Sequence, residues 1–230
     1  MQEQETLETY IQAIAIYETA LKFAPNDFKI NKRKGMALEK LSQLQFCLDQ
    51  NQDAIDTLKQ AIATYETAFD QTPDDILNIS YLGMIVERLA HQQSSQKQYS
   101  EAFVTYQQAV ATYDSALKLV PNDYCNYVLK AGAFTSLADL HFSLSQYTQA
   151  LPYYQQAISC FDGSLEIKPM KGNEFGKART LRKLGNCFQR LSRNSEAFEC
   201  YQFTMEVFKR AFPPNHKHIR SLSEQMEKLS

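Results

Sequence analysis

An all-α solenoid of antiparallel helix pairs is the fold this sequence predicts, and three observations predict it. One phrase recurs: YETALKFAPND at Tyr17–Asp27, YETAFDQTPDD at Tyr65–Asp75, YDSALKLVPND at Tyr113–Asp123 and FDGSLEIKP at Phe161–Pro169. Its prolines stand at 25, 73, 121 and 169, a step of 48 residues each time, and a period of this order marks stacked supersecondary units. Glycine and proline number only seven each in 230 residues, and no β-branched alternation appears, so the units are helical.

Taken in order, the first helix is expected from Gln4 to Ala24. Leu7, Tyr10, Ile14, Tyr17 and Leu21 step by three and four and share one face. Pro25 stops it, and Asn26 or Asp27 caps the next helix. The same stripe returns at Ile55–Phe69, Phe103–Leu117, Leu151–Leu165 and Phe198–Phe212. Small residues recur beside it at Ala13, Ala61, Ala109 and Ala157, and at Ala20, Ala68, Ala116 and Ser164.

Between these helices lie partners expected over Asp27–Leu48, Asp74–Gln92, Asp123–Leu144 and Phe175–Leu191. Gly35, Gly83, Ala131 and Gly185 are read as one register position, each followed six residues later by Leu. A glycine inside a helix costs about 1 kcal/mol, which a close backbone crossing explains. His91–Gln98 reads as a frayed end or loop, and Met170–Gly176 as an irregular linker. The amphipathic tail His216–Leu229 is a capping helix. About ten helices follow: an unpaired second-type helix over 1–25, repeats over 26–73, 74–121, 122–169 and 170–214, and the cap over 215–230. The unpaired stripe of Leu7, Ile14 and Tyr17 would leave apolar surface uncovered, so a fragment of a longer protein is expected.

The residues quoted above resemble the tetratricopeptide repeat across nearly the whole chain. The last unit carries Leu184, Gly185, Phe188, Ala197 and Tyr201, with Pro213 and Pro214 after it. Its continuation, PPNHKHIRSL at Pro213–Leu222, is similar to the repeats of kinesin light chains and their bacterial relatives. The resemblance implies a right-handed superhelix. The other units are longer than the family's 34 residues by about fourteen, or roughly two extra turns in each helix.

Composition and motifs restrict function. With 24 basic and 26 acidic residues, a net charge of −2, a nucleic-acid partner is not expected, and no apolar run suits a membrane. The N-terminal MQEQETLETY is acidic and lacks a leader pattern. Five cysteines without a C-x-x-C pair read as reduced thiols in a cytoplasmic protein. No phosphate loop, nucleophile elbow or H-E-x-x-H motif is present. His216 and His218 stand two apart, and His91 and His141 lack ligand partners, so no metal, cofactor or catalytic residue is assigned. The acidic column Glu18, Glu66, Asp114 and Asp162 reads as a solvated face.

The resemblance implies a non-catalytic scaffold whose first-type helices line a concave groove for another protein or peptide. By register it puts Lys29, Lys32, Met36, Glu39 and Lys40 in that groove, then Ser80, Met84, Glu87 and Arg88, then Cys125, Val128, Gly132 and Thr135. The last unit adds Arg179, Arg182, Asn186, Gln189 and Arg190. Arg182 with Asn186 resembles the first two positions of the family's carboxylate clamp. The expected ligand is an acidic or carboxylate-bearing segment held at Arg179, Arg182 and Arg190. The alternatives are a homo-oligomer formed through the unpaired first helix, or a regulatory domain of a larger multidomain bacterial protein.

Overall fold

The computed structural model describes residues 2–229; Met1 and Ser230, the ends of the expected array, lie outside the described residues. Among the described residues there are ten α-helices and no strand. They are α1 (Gln2–Leu21), α2 (Phe28–Cys47), α3 (Asn51–Phe69), α4 (Ile76–Ser95), α5 (Tyr99–Leu119), α6 (Tyr124–Ser143), α7 (Tyr147–Ile167), α8 (Lys171–Arg190), α9 (Asn194–Ala211) and α10 (Lys217–Glu227). They fall into two compact units, divided between Leu119 and Val120.

In the first unit each helix packs on the next, from α1 through α5. The core is built from Leu38 and Leu41 of α2, Ile55, Leu58 and Tyr65 of α3, and Ile85 and Leu89 of α4. Leu7 and Ile14 belong to this core, because α1 packs on α2. The expectation of an uncovered stripe is therefore corrected: α2 covers it. The face of α1 left open is a different one, with Ile16 67% and Phe23 86% exposed.

The second unit stacks α6, α7, α8, α9 and α10 in the same way. Its core runs from Leu151 and Tyr154 through Leu184, Phe188, Tyr201 and Phe208 to Ile219 and Leu222 of α10. The capping helix is thus anchored by one apolar face.

Two kinds of corner repeat. Asp27, Asp75 and Asp123 cap α2, α4 and α6, accepting from Ile30 N, from Leu77 N and Asn78 N, and from Cys125 N and Asn126 N. The other corner needs a left-handed residue, and Asp49, Lys97, Ser145 and Ser192 supply it at φ 59–61°. The amide after each reaches back to close the last helical turn, Gln98 N to Gln93 O at 2.9 Å for instance. No glycine marks these corners.

Three sequence expectations change. His91–Ser95 is helical rather than frayed, because Gln92 and Gln93 are buried on α4. Lys171–Gly176 is the first part of α8 rather than a linker. A Cβ on Gly176 would stand 2.7 Å from the Phe161 ring, so this glycine serves packing and breaks nothing. Gly185 does not share a position with Gly35 and Gly83. Those two are the eighth residues of their helices and Gly185 is the fifteenth of α8, where Ala178 is the eighth.

Candidate functional site

The even-numbered helices carry the predicted binding residues, and what lies beneath them is a set of buried tyrosines. Tyr65 and Tyr113 of the odd helices are fully buried. Their rings lie against Gly35 and Gly83, where a Cβ would come within 2.7 Å and 2.5 Å of ring carbons. Four residues beyond each glycine stands a carboxylate, one turn further on the same face. Tyr65 donates to Glu39 at 3.4 Å and Tyr113 to Glu87 at 3.2 Å. Where the aromatic is Phe161 or Phe208, the glycine is replaced by Ala131 or Ala178 and the carboxylate by Thr135 or Arg182.

In the first unit this arrangement consumes two predicted groove residues. Glu39 is buried, accepts from Tyr81 and Tyr65, and pairs with Arg88. Burial, then the Glu39 contact, raises the Tyr81 phenol above its ordinary range, and Arg88 works against that rise. Lys32 reaches Asn78 Oδ1 at 3.5 Å and lies over the Phe28 ring. Ser80 Oγ turns back to Ile76 O at 2.6 Å. Lys29, Lys40, Met36 and Met84 are exposed.

In the second unit Val128 packs beside Ala131, Cys160 and Phe161. Arg179, Arg182 and Asn186 come together with Phe175, Lys183, Phe208 and His218 around a pocket of about 480 Å³. Arg182 donates to Gln225 Oε1 at 3.0 Å and Ser221 Oγ at 2.9 Å, both on α10. Gln225 in turn donates to Asn186 Oδ1 at 3.0 Å, which also accepts from Tyr201 at 2.7 Å. Burial pushes the Tyr201 phenol up to about 12. Lys183 pairs with Asp139. Arg179 is exposed and makes no ion pair among the described residues. Desolvation first, then the charges of His216, Lys217, Arg182 and Arg179, hold the His218 imidazole below its ordinary value. The pocket is therefore electropositive with an aromatic floor.

Gln189 accepts from Tyr201 at 3.2 Å, and Arg190 is exposed and does not line the pocket. Phe175, Lys183, Phe208, His218, Ser221 and Gln225 were not predicted. Phe208 was visible only as a stripe residue, and the α10 residues lie 39 and 43 residues from Arg182 in sequence. His216 stacks on Phe212 at 4.0 Å between ring centroids, and His218 lies tilted against the same ring at 5.5 Å. Among the described residues no group of three or more potential ligands could hold a metal ion. No helix of the described chain is long and apolar enough to cross a membrane.

Residues 131–160, spanning most of α6 and α7, match the family model described as tetratricopeptide repeat. BtubC (BKLC) from P. vanneervenii superimposes with a TM-score of 0.65 at 13% identity, over 100% of this chain and 83% of that one. The nearly identical TPR-like repeats of a kinesin light chain from Podosopora anserina give 0.62 at 17% identity, over 91% and 88% of the two chains. The fold is a tetratricopeptide-like α-solenoid. The likeness to these repeats, kinesin light chain repeats among them, agrees with the resemblance read from the sequence. No curated protein matches the chain. Solenoids of this class present extended surfaces to other proteins.

Proposed function

We propose that the chain is a non-catalytic protein-binding scaffold, acting in the cytoplasm, that holds an acidic or carboxylate-bearing segment at the pocket between α8 and α10. The observation that carries this reading is Arg179, an unpaired cation at the rim of a pocket already lined by Arg182, Lys183 and His218. Arg182 is oriented in advance by Gln225 and Ser221, which take its Nε and one Nη2 hydrogen, so a carboxylate would meet the remaining, Nη1 end of a fixed guanidinium. The titratable pocket residues are cationic or imidazole, with no nucleophile beside a base, which supports binding over catalysis.

The test is fluorescence anisotropy with acidic peptides, against wild type, Arg179→Glu and Arg179→Glu/Arg182→Glu. Arg179→Glu breaks no internal bond, so fold is retained. The expected loss is about tenfold or more for the single variant, one charge-assisted contact. Unchanged affinity would refute the site.

A second reading rests on α1. Ile16 and Phe23, exposed beside Ala15, Thr19 and Ala20, form an apolar face against which a second copy would pack. Concentration-dependent mass in light scattering, abolished by Ile16→Glu/Phe23→Glu, is its signature. A mass that stays monomeric at high concentration refutes it.

A further inference from the structure

A second groove, of about 550 Å³, lies in the first unit between α3 and α5, with α4 as its floor. Leu82, Val86, Leu89 and Gln93 form that floor, and Lys59, Ile62 and Glu66 belong to one wall, where Lys59 pairs with Asp56 at 3.5 Å and not with Glu66. At 100° per residue, this stripe lies on the opposite side of α4 from Met84 and Arg88. It is therefore independent of the acidic-segment reading above.

The repeat itself shows what is missing from the groove. At the positions equivalent to Glu66 stand Glu18, Asp114 and Asp162, and at those equivalent to Leu82 stand Lys34, Lys130 and Lys177. Lys34 pairs with Glu18 at 3.0 Å, and Lys177 pairs with Asp162. In both pairs the lysine side chain is only 19% exposed, so its stem lies along apolar surface while its ammonium meets the carboxylate. Leu82 keeps the apolar stem and deletes the ammonium. Glu66 keeps the carboxylate and has no cation partner among the described residues. Partial desolvation, then Asp70 one turn away, raises its carboxyl above the ordinary value.

Gln93 gives a second, independent sign. It is 4% exposed, it lines the groove, and its Oε1 is buried without a hydrogen-bond donor. A buried acceptor left without a partner is costly. Gln45, one repeat earlier, carries a similar unsatisfied oxygen, but there Lys34 already answers Glu18. In the α3–α5 groove, by contrast, a carboxylate without a cation partner and an amide oxygen without a donor, among the described residues, line the same groove. Leu82 and Gln93 are three turns apart, about 16 Å along the helix, which an extended segment of about five residues spans.

We propose that this groove docks an apolar segment of a partner protein bearing a lysine or arginine, which supplies in trans the cation that Lys34 and Lys177 supply in cis. The cationic side chain enters over Leu82 and Val86 and ends on the Glu66 carboxylate. A donor further along the segment, a backbone amide, meets Gln93 Oε1.

The experiment is a methyl-detected NMR titration of the full chain, following Leu82, Val86 and Leu89. The probes are short blocked peptides of apolar residues with one central lysine, arginine, norleucine or glutamate. The lysine and arginine peptides should shift these methyls saturably, and the norleucine and glutamate peptides should not. Glu66→Gln should weaken lysine-peptide binding about tenfold. Leu82→Lys, which restores the internal pair, should abolish it, with the α-helical circular dichroism of both variants unchanged. The proposal is overturned if norleucine binds as well as lysine, if either variant binds like wild type, or if no peptide produces saturable shifts at these methyls.

Discussion

Gly83→Ala tests whether the buried tyrosines are locked in place. Alanine is the better helix former by about 1 kcal/mol, so an unconstrained site would gain stability. Here the added Cβ would stand 2.5 Å from Tyr113 Cε1 and 2.9 Å from its Cδ1. The ring is fully buried, and its hydroxyl donates to Glu87 at 3.2 Å, so it has neither space nor freedom to retreat. Overpacking of this kind costs about 1–3 kcal/mol, and a hydroxyl pulled from a carboxylate adds about 1.5–3 kcal/mol. The net expectation is a loss of roughly 1.5–5 kcal/mol after the helix-propensity gain of about 1 kcal/mol. Gly172→Ala is the control: nothing lies within 4 Å of its Cβ, and it should gain up to about 1 kcal/mol.

The third repeat supplies the rescue. There Ala131 is accommodated beside Phe161, an aromatic with no hydroxyl to hold in place. Gly83→Ala/Tyr113→Phe should therefore be more stable than the two single losses added together, by about 1 kcal/mol of coupling. Urea unfolding followed by far-UV circular dichroism measures wild type, the two single variants, the double variant and the Gly172→Ala control. If Gly83→Ala stabilises as Gly172→Ala does, or if the double variant shows no coupling, the lock is not real.

Other expectations follow from the same contacts. Arg88→Leu leaves the buried Glu39 carboxylate without its cation and should cost about 2–4 kcal/mol in urea unfolding. Glu66 binds its proton more tightly in the folded chain, so its contribution to stability falls as pH rises from the unfolded value through the folded one. Glu66→Gln should then raise the melting temperature at neutral pH by the equivalent of under about 1 kcal/mol, a gain that fades below about pH 4. Cys47 and Cys125 are exposed while Cys160, Cys187 and Cys200 are buried, with the Cys187 and Cys200 thiols pushed up to about 11. A thiol reagent at pH 8 should therefore label two cysteines quickly and the remaining three only on unfolding.

Helix faces and Pro-Asn-Asp corners were legible because each is a local pattern: a three-four stripe, a terminating proline, a capping carboxylate. The corners at Asp49, Lys97, Ser145 and Ser192 were not, since the left-handed residue there is never glycine. The fourth repeat was misaligned by seven residues for a definite reason. Two helical turns return a residue to the same face, so Gly185 satisfies the facing requirement as well as Ala178 does. Only the corner position separates them, and the Met170–Gly176 stretch obscured it. Arg182 and Asn186 were legible as a pair on one helix, while Gln225, which joins them, belongs to a helix 39 residues further on. The acidic column was seen, yet its meaning was not, because Lys34 and Lys177 answer it from the next helix rather than from within it.

Departures from the repeat therefore sort by whether both halves of a contact change together. Tyr65 with Gly35 and Glu39 becomes Phe161 with Ala131 and Thr135: the hydroxyl, the glycine and the acceptor are lost as a set, and nothing is left wanting. Phe208 with Ala178 goes a step further, since Arg182 takes the acceptor's position and finds new partners on α10. Leu82 is the opposite case. The lysine is gone, Glu66 remains, and among the described residues no cation pairs with it, since Lys59, which lines the same groove, pairs with Asp56. In a chain whose stability is built from repeated neighbour contacts, a balanced exchange is structural drift, whereas a half-kept pair in an apolar groove holds an interaction open for something outside the chain. Restoring the lysine at position 82 should therefore gain stability and lose a partner in the same step, which neither drift nor a solvated face would produce.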